Sequence, residues 1–330
     1  MSTPSPRAQA FRRHLLTYGP LLTALVVEII VFELIGQRQG NPGFASFNIM
    51  MLVLNQSAIY GVMAVGMTFI IITGGIDLSV GSVVALSGVL CAMVVQWGVE
   101  PVYLWLVVGW LAAIATGMAS GAISGLFITR LAIPPFIVTL ALMSSLRGLG
   151  NLLTDGKPIS PLPDAYTALG RYQIGGVLPV TVVIFAVVLA LGITLLNYTR
   201  FGRHVLAIGG NEETARLSGI PIARVRLAVY VFAGLLTGIA GIMLSSKLGS
   251  GSPKVGVADE LAVIAAVVIG GTSLSGGRGS ILGTFVGLIV VSVLNSGLTW
   301  IGVETFGQQV TLGLVILAAV LLDRIKDLKR

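Results

Sequence analysis

The chain has 330 residues, 55% hydrophobic and only 10% charged, against about 25% charged in a soluble domain; with a mean hydropathy of +0.97 this excludes a soluble globular enzyme. The formal net charge is +7, but the basic residues form neither a block nor an aromatic-interleaved stripe, which argues against nucleic-acid binding. Cys91 stands alone and His14 and His204 lie far apart, so no disulfide framework and no Cys/His metal site is expected.

A helix crosses the bilayer core with about 20 apolar residues, and stretches of that kind recur almost from end to end. The N-terminal run begins behind Arg7, Arg12 and Arg13 and stays apolar to Leu34. That is longer than the ~7–15 residues of a signal-peptide core, and no small-residue cleavage site follows. It is read as a retained first span, 15–35. Further spans are expected at 48–73, 79–96, 102–128, 132–153, 177–198, 227–247, 259–272, 279–298 and 308–323. The second is long and carries Asn55 and Gln56, so it is either tilted or broken. The eighth is short and ends at Gly270–Gly271, as a half-helix would. The expected fold class is therefore an all-α polytopic membrane protein, a single domain over 1–330 with about ten transmembrane or half-membrane helices.

With the N-terminus placed in the cytoplasm, Arg130, Arg200, Arg203, Arg216, Arg224, Arg226 and Arg278 fall inside, with the basic residues of both termini. Arg38, Arg147, Lys157, Arg171, Lys247 and Lys254 fall outside. The excess of basic residues inside supports cytoplasmic termini.

Three sets of glycines recur at every fourth position: Gly117, Gly121 and Gly125; Gly234 and Gly238; Gly279, Gly283 and Gly287. Each set lies on one helix face, where small residues let backbones approach closely. A Gly-Gly-x-x-Leu-Ser string occurs twice, at 74–79 and at 270–275. Both strings interrupt apolar segments, which is tolerable only where backbone is buried in protein or faces water. Gly74, Gly75, Asp77, Ser79, Gly270 and Gly271 are thus candidates for the pathway or its gate, with Asn55 and Gln56. Asp77 holds the broken backbone or lines a gate, or it caps the following helix with Ser79 and Ser82. Asn55, Gln56, Asn151 and Asn295 can bond ligand hydroxyls or bridge helices. Arg147 faces the pathway, pairs with Asp155 or lies near the surface. Asp259 and Glu260 open the short eighth segment, where the helix dipole favours them.

The polar segment 199–226 contains a short helix with both ends specified. Asn211 is the N-cap candidate, Glu212 and Glu213 occupy the first turn, Gly219 suits the left-handed position after the last turn, and Pro221 stops continuation. So short a helix is marginal alone, so it either docks on a partner through residues such as Ala215 and Arg216 or simply connects two spans.

The strings Gly74–Gly75–Ile76–Asp77–Leu78–Ser79–Val80–Gly81–Ser82, Phe201–Gly202–Arg203, Ala207–Ile208–Gly209–Gly210–Asn211, Val268–Ile269–Gly270–Gly271–Thr272 and Gly276–Gly277–Arg278–Gly279–Ser280 resemble the permease subunits of bacterial ABC importers for ribose and related monosaccharides. The likeness covers about residues 40–323. Permeases for several sugars, polyols and autoinducer-2 share these strings, so it does not choose the ligand. The resemblance implies a second permease chain (identical or a paralogue), cytoplasmic ATP-binding cassette subunits and a periplasmic sugar-binding protein. It also implies that Asn211–Gly219 is the coupling helix seated on the ATPase. No cofactor is expected in this chain. Gly156–Lys157 lacks the upstream glycine and following hydroxyl residue of a phosphate loop, so ATP and magnesium belong to a partner. The alternatives are an ion- or proton-coupled secondary transporter, which calls for buried acid pairs or a His relay; a membrane-embedded enzyme, for which no HExxH or GxSxG motif is present; and branched-chain amino-acid import, against which the Gly-Gly-Ile-Asp-Leu-Ser string speaks.

Overall fold

The computed structural model describes residues 6–98 and 101–328, with side chains described from 19 to 321. The expectations resting on Arg7, Arg12, Arg13, His14 and the basic residues from Arg324 to Arg330 lie outside those side chains. The elements in chain order are α1 (Pro6–Arg38), α2 (Phe47–Ile72), α3 (Val80–Trp97), α4 (Val102–Arg130), α5 (Pro135–Thr154), α6 (Asp164–Arg171), the two-residue strands β1 (Gln173–Ile174) and β2 (Leu178–Pro179), α7 (Val180–Tyr198), α8 (Arg200–Gly210), α9 (Glu212–Leu217), α10 (Ile222–Leu248), α11 (Asp259–Ile269), α12 (Ile281–Trp300) and α13 (Thr305–Leu328). The strands pair antiparallel around Gly175 and Gly176, both at positive φ. The rest of the regular structure is helical.

Among the described residues eight helices are long and apolar enough to cross a membrane: residues Gly19–Arg38 of α1, then α2, α3, α4, α5, α7, α10 and α12. Added to α11 and α13, they match the ten segments expected. α11 has 11 residues, about 16 Å at 1.5 Å per residue, roughly half of a ~30 Å hydrocarbon core. α2 is not broken at Asn55–Gln56. It runs without interruption through 26 residues, about 39 Å, longer than the core is thick.

α2, α3, α10, α11 and α12 form the interior, and their buried faces meet in one apolar cluster that includes Met63, Phe69, Val84, Tyr230 and Val263. The outer helices turn large apolar side chains outward, such as Ile30 on α1, Leu111 on α4, Leu140 on α5, Leu191 on α7 and Val310 on α13. Such a surface suits lipid and would aggregate in water.

Small residues set how closely the interior packs. On α4, a Cβ added at Gly117 would meet the Gly234 carbonyl of α10, and one at Gly121 would meet the Tyr230 carbonyl. From the other side, Gly234 abuts the Gly117 carbonyl and Gly238 the Ala113 carbonyl. The two stripes interlock, as their spacing predicts. The third stripe acts likewise in part: Gly287 abuts the Ala266 carbonyl of α11 and Gly283 lies against Gly270, whereas Gly279 precedes α12 and packs against Ile72 and Thr272.

After α10 the chain folds back into the bundle. Gly256 packs against Gly81 in the first turn of α3, and Gly251 against Gly88 and Val89. This places the start of α11 inside the helix assembly. Arg147 of α5 fixes the returning segment by donating to the carbonyls of Pro253 (2.9 Å), Val255 and Gly256 (2.9 Å). It therefore clamps backbone and forms no ion pair with Asp155, which instead caps the end of α5 in the left-handed conformation.

Candidate functional site

Local chemistry builds α9. The Asn211 side-chain oxygen accepts from the Thr214 N–H at 2.8 Å, satisfying a first-turn donor. At the other end Gly219 has φ +79°. Its N–H reaches the Arg216 carbonyl (3.0 Å) and the Ile220 N–H reaches that of Ala215 (3.1 Å), the paired bonds of a Schellman cap. Ala215 is buried, joined to the core with Ile220. The opposite face is open: Leu217 is 82% exposed, beside the solvent-facing Glu213 and Arg216. An apolar side chain ringed by charge offers a docking surface, and Leu217 was not singled out from sequence.

Glu212 turns the other way. It pairs with Arg216 at 3.2 Å and with Arg226, at the start of α10, at 2.6 Å. Arg226 also donates to the Thr73 carbonyl at 3.5 Å, where α2 ends. A cleft of about 520 Å³ lies among these groups, lined by Thr73, Gly74, Gly75, Glu212, Arg226 and Tyr230. The fold thus brings Gly74 and Gly75 together with Glu212 and Arg216, two sets of candidates well separated in sequence.

Both Gly-Gly strings end helices in the same way. After α2, Gly74 (φ +80°) and Gly75 donate to Ile71 and Ile70 at 2.9 and 3.0 Å. After α11, Gly271 (φ +88°) and Thr272 donate to Val268 and Val267 at 2.9 and 3.2 Å. The matching positions are therefore Gly74 and Gly271, one residue out of step with the shared letters. Beyond Gly75, Asp77 is buried. One of its carboxylate oxygens accepts from the Ser79 N–H (2.8 Å) and hydroxyl (2.6 Å), fixing the turn into α3. Burial holds the carboxyl above the usual carboxylate range, and the two bonds from Ser79 oppose that rise. Tyr230, whose buried hydroxyl finds no partner among the described residues, abuts Gly75. The two broken segments also touch, since the Gly277 N–H donates to the Ile72 carbonyl at 2.9 Å. Gly209 of α8 packs against both groups.

A second cavity, of about 460 Å³, opens at the opposite end between α2, α10, α11, α12 and α13. Gln56 and Asn295 line it. The other two amides do not: Asn55 accepts from the Thr181 hydroxyl at 2.6 Å and ties α2 to α7, and Asn151 donates to Arg147 within its own helix at 2.9 Å. Asp259, which sequence reasoning left as a helix-dipole partner, accepts from the Tyr60 hydroxyl at 3.2 Å on the wall of this cavity. Tyr60, Lys247 and Gln308 also reach it, and none of them was a site candidate from sequence.

The family model described as "Branched-chain amino acid transport system / permease component" matches residues 49–322. The chain is 46% identical to the ribose import permease protein RbsC of Bacillus subtilis (strain 168), over 94% of this chain and 93% of that protein. It is 39% identical to RbsC of Escherichia coli (strain K12), over 98% and 99%. It is also 39% identical to the L-arabinose transport system permease protein AraH of the same strain, over 87% and 85%. No solved structure matches the chain. The lengths covered, with a multi-helix apolar body and a capped connector between α7 and α10, lead to one conclusion: the chain belongs to this family of transport permeases, and within it to the ribose-type ABC permeases.

Proposed function

We propose that the chain forms the translocation pathway of an ATP-driven importer for a monosaccharide of the ribose class. It works as one of two permease chains, beneath a periplasmic sugar-binding protein and above two cytoplasmic ATP-binding subunits. Its termini and the α8–α9 segment face the cytoplasm, in line with the distribution of basic residues. ATP and magnesium bind the ATPase, and this chain changes no covalent bond.

The observation that carries this reading is the wiring of α9. Its exposed face, with Glu213, Arg216 and Leu217, seats on the ATPase, while Glu212 is tied through Arg226 to the end of α2 at Thr73. Closure of the cassettes pushes α9, and the push reaches the Gly74–Ser79 turn and, through Ile72 and Gly277, the turn after α11. Gly74, Gly75, Asp77, Ser79, Gly270 and Gly271 then act as the hinge region of the gate. Rigid helices broken at such turns are how transporters alternate access.

The test is a mild-detergent purification of the tagged chain from its own host, with identification of co-purifying proteins. A companion bearing a phosphate loop, lost from the Glu212→Ala, Glu213→Ala, Arg216→Ala triple variant, supports the importer. A chain that carries sugar into liposomes with no ATPase bound overturns it.

A further inference from the structure

We propose that the cavity between α2, α10, α11, α12 and α13 is the sugar-binding station of the pathway, with Gln56, Asn295 and Asp259 holding the ligand's hydroxyls. The assignment rests on the importer reading above.

Polar side chains inside spans are costly and need a cause. Here separate elements turn them toward one cavity: Gln56 from α2, Asp259 from the start of α11, Asn295 and Thr299 from α12, and Gln308 from α13. Some of that capacity is used internally. Gln308 donates to the Thr299 hydroxyl (3.1 Å) and the Val303 carbonyl (2.9 Å), and one Asp259 oxygen accepts from Tyr60. The remainder is open. Among the described residues the Asn295 carboxamide makes no hydrogen bond within the protein, and Gln56 is engaged only through its oxygen, at 3.5 Å from the Ser296 hydroxyl.

A carboxamide presents donors and an acceptor side by side, and a carboxylate accepts along several directions. Neighbouring sugar hydroxyls, each both donor and acceptor, are complementary to that set. Ile59, Leu288, Val291 and Leu312 supply an apolar wall for the C–H face of a sugar ring. The volume falls in the ~300–1,000 Å³ range of small-ligand sites and leaves room for water around a monosaccharide, as suits a station that must release its ligand. Asp259 also stands where the chain turns inward, since Gly256 against Gly81 sets it inside the bundle, and transporters place their ligand at such interruptions.

A zwitterionic amino acid is the rival ligand, because Lys247 also reaches this cavity and stands across from Asp259 in charge. The test uses proteoliposomes holding the permease with its ATPase and binding protein, radiolabelled D-ribose, and sugar moved per ATP hydrolysed as the readout. Gln56→Leu and Asn295→Leu each lower that ratio about tenfold, the effect of losing one hydrogen bond to the ligand, while ATPase stimulation by the binding protein is retained. Asn295→Gln recovers most of the loss, the lipid-facing Thr194→Ala changes nothing, and leucine does not compete. The assignment is overturned if the double leucine variant keeps the parent ratio, if transport and ATP hydrolysis fall together, or if leucine competes as well as ribose. A parent complex that hydrolyses ATP yet moves no ribose refutes the importer reading and the site with it, a result distinct from a loss confined to the variants.

Discussion

Asn211 shows how much a single side chain decides. Its bond to the Thr214 N–H caps the N-terminus of a helix of 6 residues, so replacing it with Ala costs about 1 kcal/mol of local stability. We expect Asn211→Ala to reduce ATPase retention in detergent and Asn211→Asp to preserve it, measured as the ATPase-to-permease ratio after purification. The Glu212–Arg226 pair is half-buried and worth about 1 kcal/mol. Glu212→Arg should weaken the stimulation of ATP hydrolysis by loaded binding protein, and adding Arg226→Glu should restore part of it; two additive losses would dismiss the contact as a transmission link. These residues differ in how readable they were. Asn211, Gly219 and Pro221 act on backbone a few positions away, so sequence exposes them. Gln56 and Asn55 are neighbours with opposite fates, one at a cavity and one against Thr181. On a helix apolar all round, no periodicity tells which side faces lipid, protein or water.

At the level of elements, the meshing of α4 with α10 leaves no room for a side chain. Gly121→Val forces those backbones apart, and overpacking of this kind costs about 1–3 kcal/mol. Gly148 of α5 has open space where a Cβ would stand, so Gly148→Ala should stabilise by about 0.5–1 kcal/mol. Thermal unfolding in one detergent should therefore show the first variant melting below the parent and the second at or above it. The span helices and their glycine stripes were legible because hydropathy and a four-residue repeat are strong signals. α8 was not. It buries Gly202, Val205 and Ile208, and so short a run of apolar spacing beside Arg200 and Arg203 reads as a connector. Thr199, whose hydroxyl accepts from the Gly202 N–H at 3.2 Å, was the available clue. The repeated Gly-Gly string misled in a smaller way. Identical letters suggested identical roles, yet helix α11 ends one residue later along its copy than α2 does. Where a helix stops depends on which glycine can take positive φ and still pair both following N–H groups, which letters alone do not reveal.

For the molecule as a whole, orientation follows from the basic residues and can be checked directly. In a Cys91→Ser background, a cysteine at the exposed Arg200 should react with an impermeant maleimide only in inside-out vesicles, and one at Lys157 only in right-side-out cells. The reverse pattern would invert the proposed topology. Cys91 is buried and lies 3.3 Å from the Tyr166 hydroxyl, so serine keeps a hydrogen-bonding partner there. Which helices surround each cavity was out of reach of sequence, because it depends on the chain turning back after α10, and that turn is held by Arg147 gripping carbonyls some hundred residues away.

The bond from the Gly277 N–H to the Ile72 carbonyl joins the two broken segments through main chain alone. Side-chain truncation does not isolate this bond: Gly277 holds φ +74° against the Gly210 backbone, so alanine there strains the main chain, and proline, which lacks the N–H, also forces φ to about −65°. An amide-to-ester exchange at Gly277, introduced by semisynthesis, removes the donor while leaving every side chain in place. That single atom swap is the experiment that separates the two segments chemically.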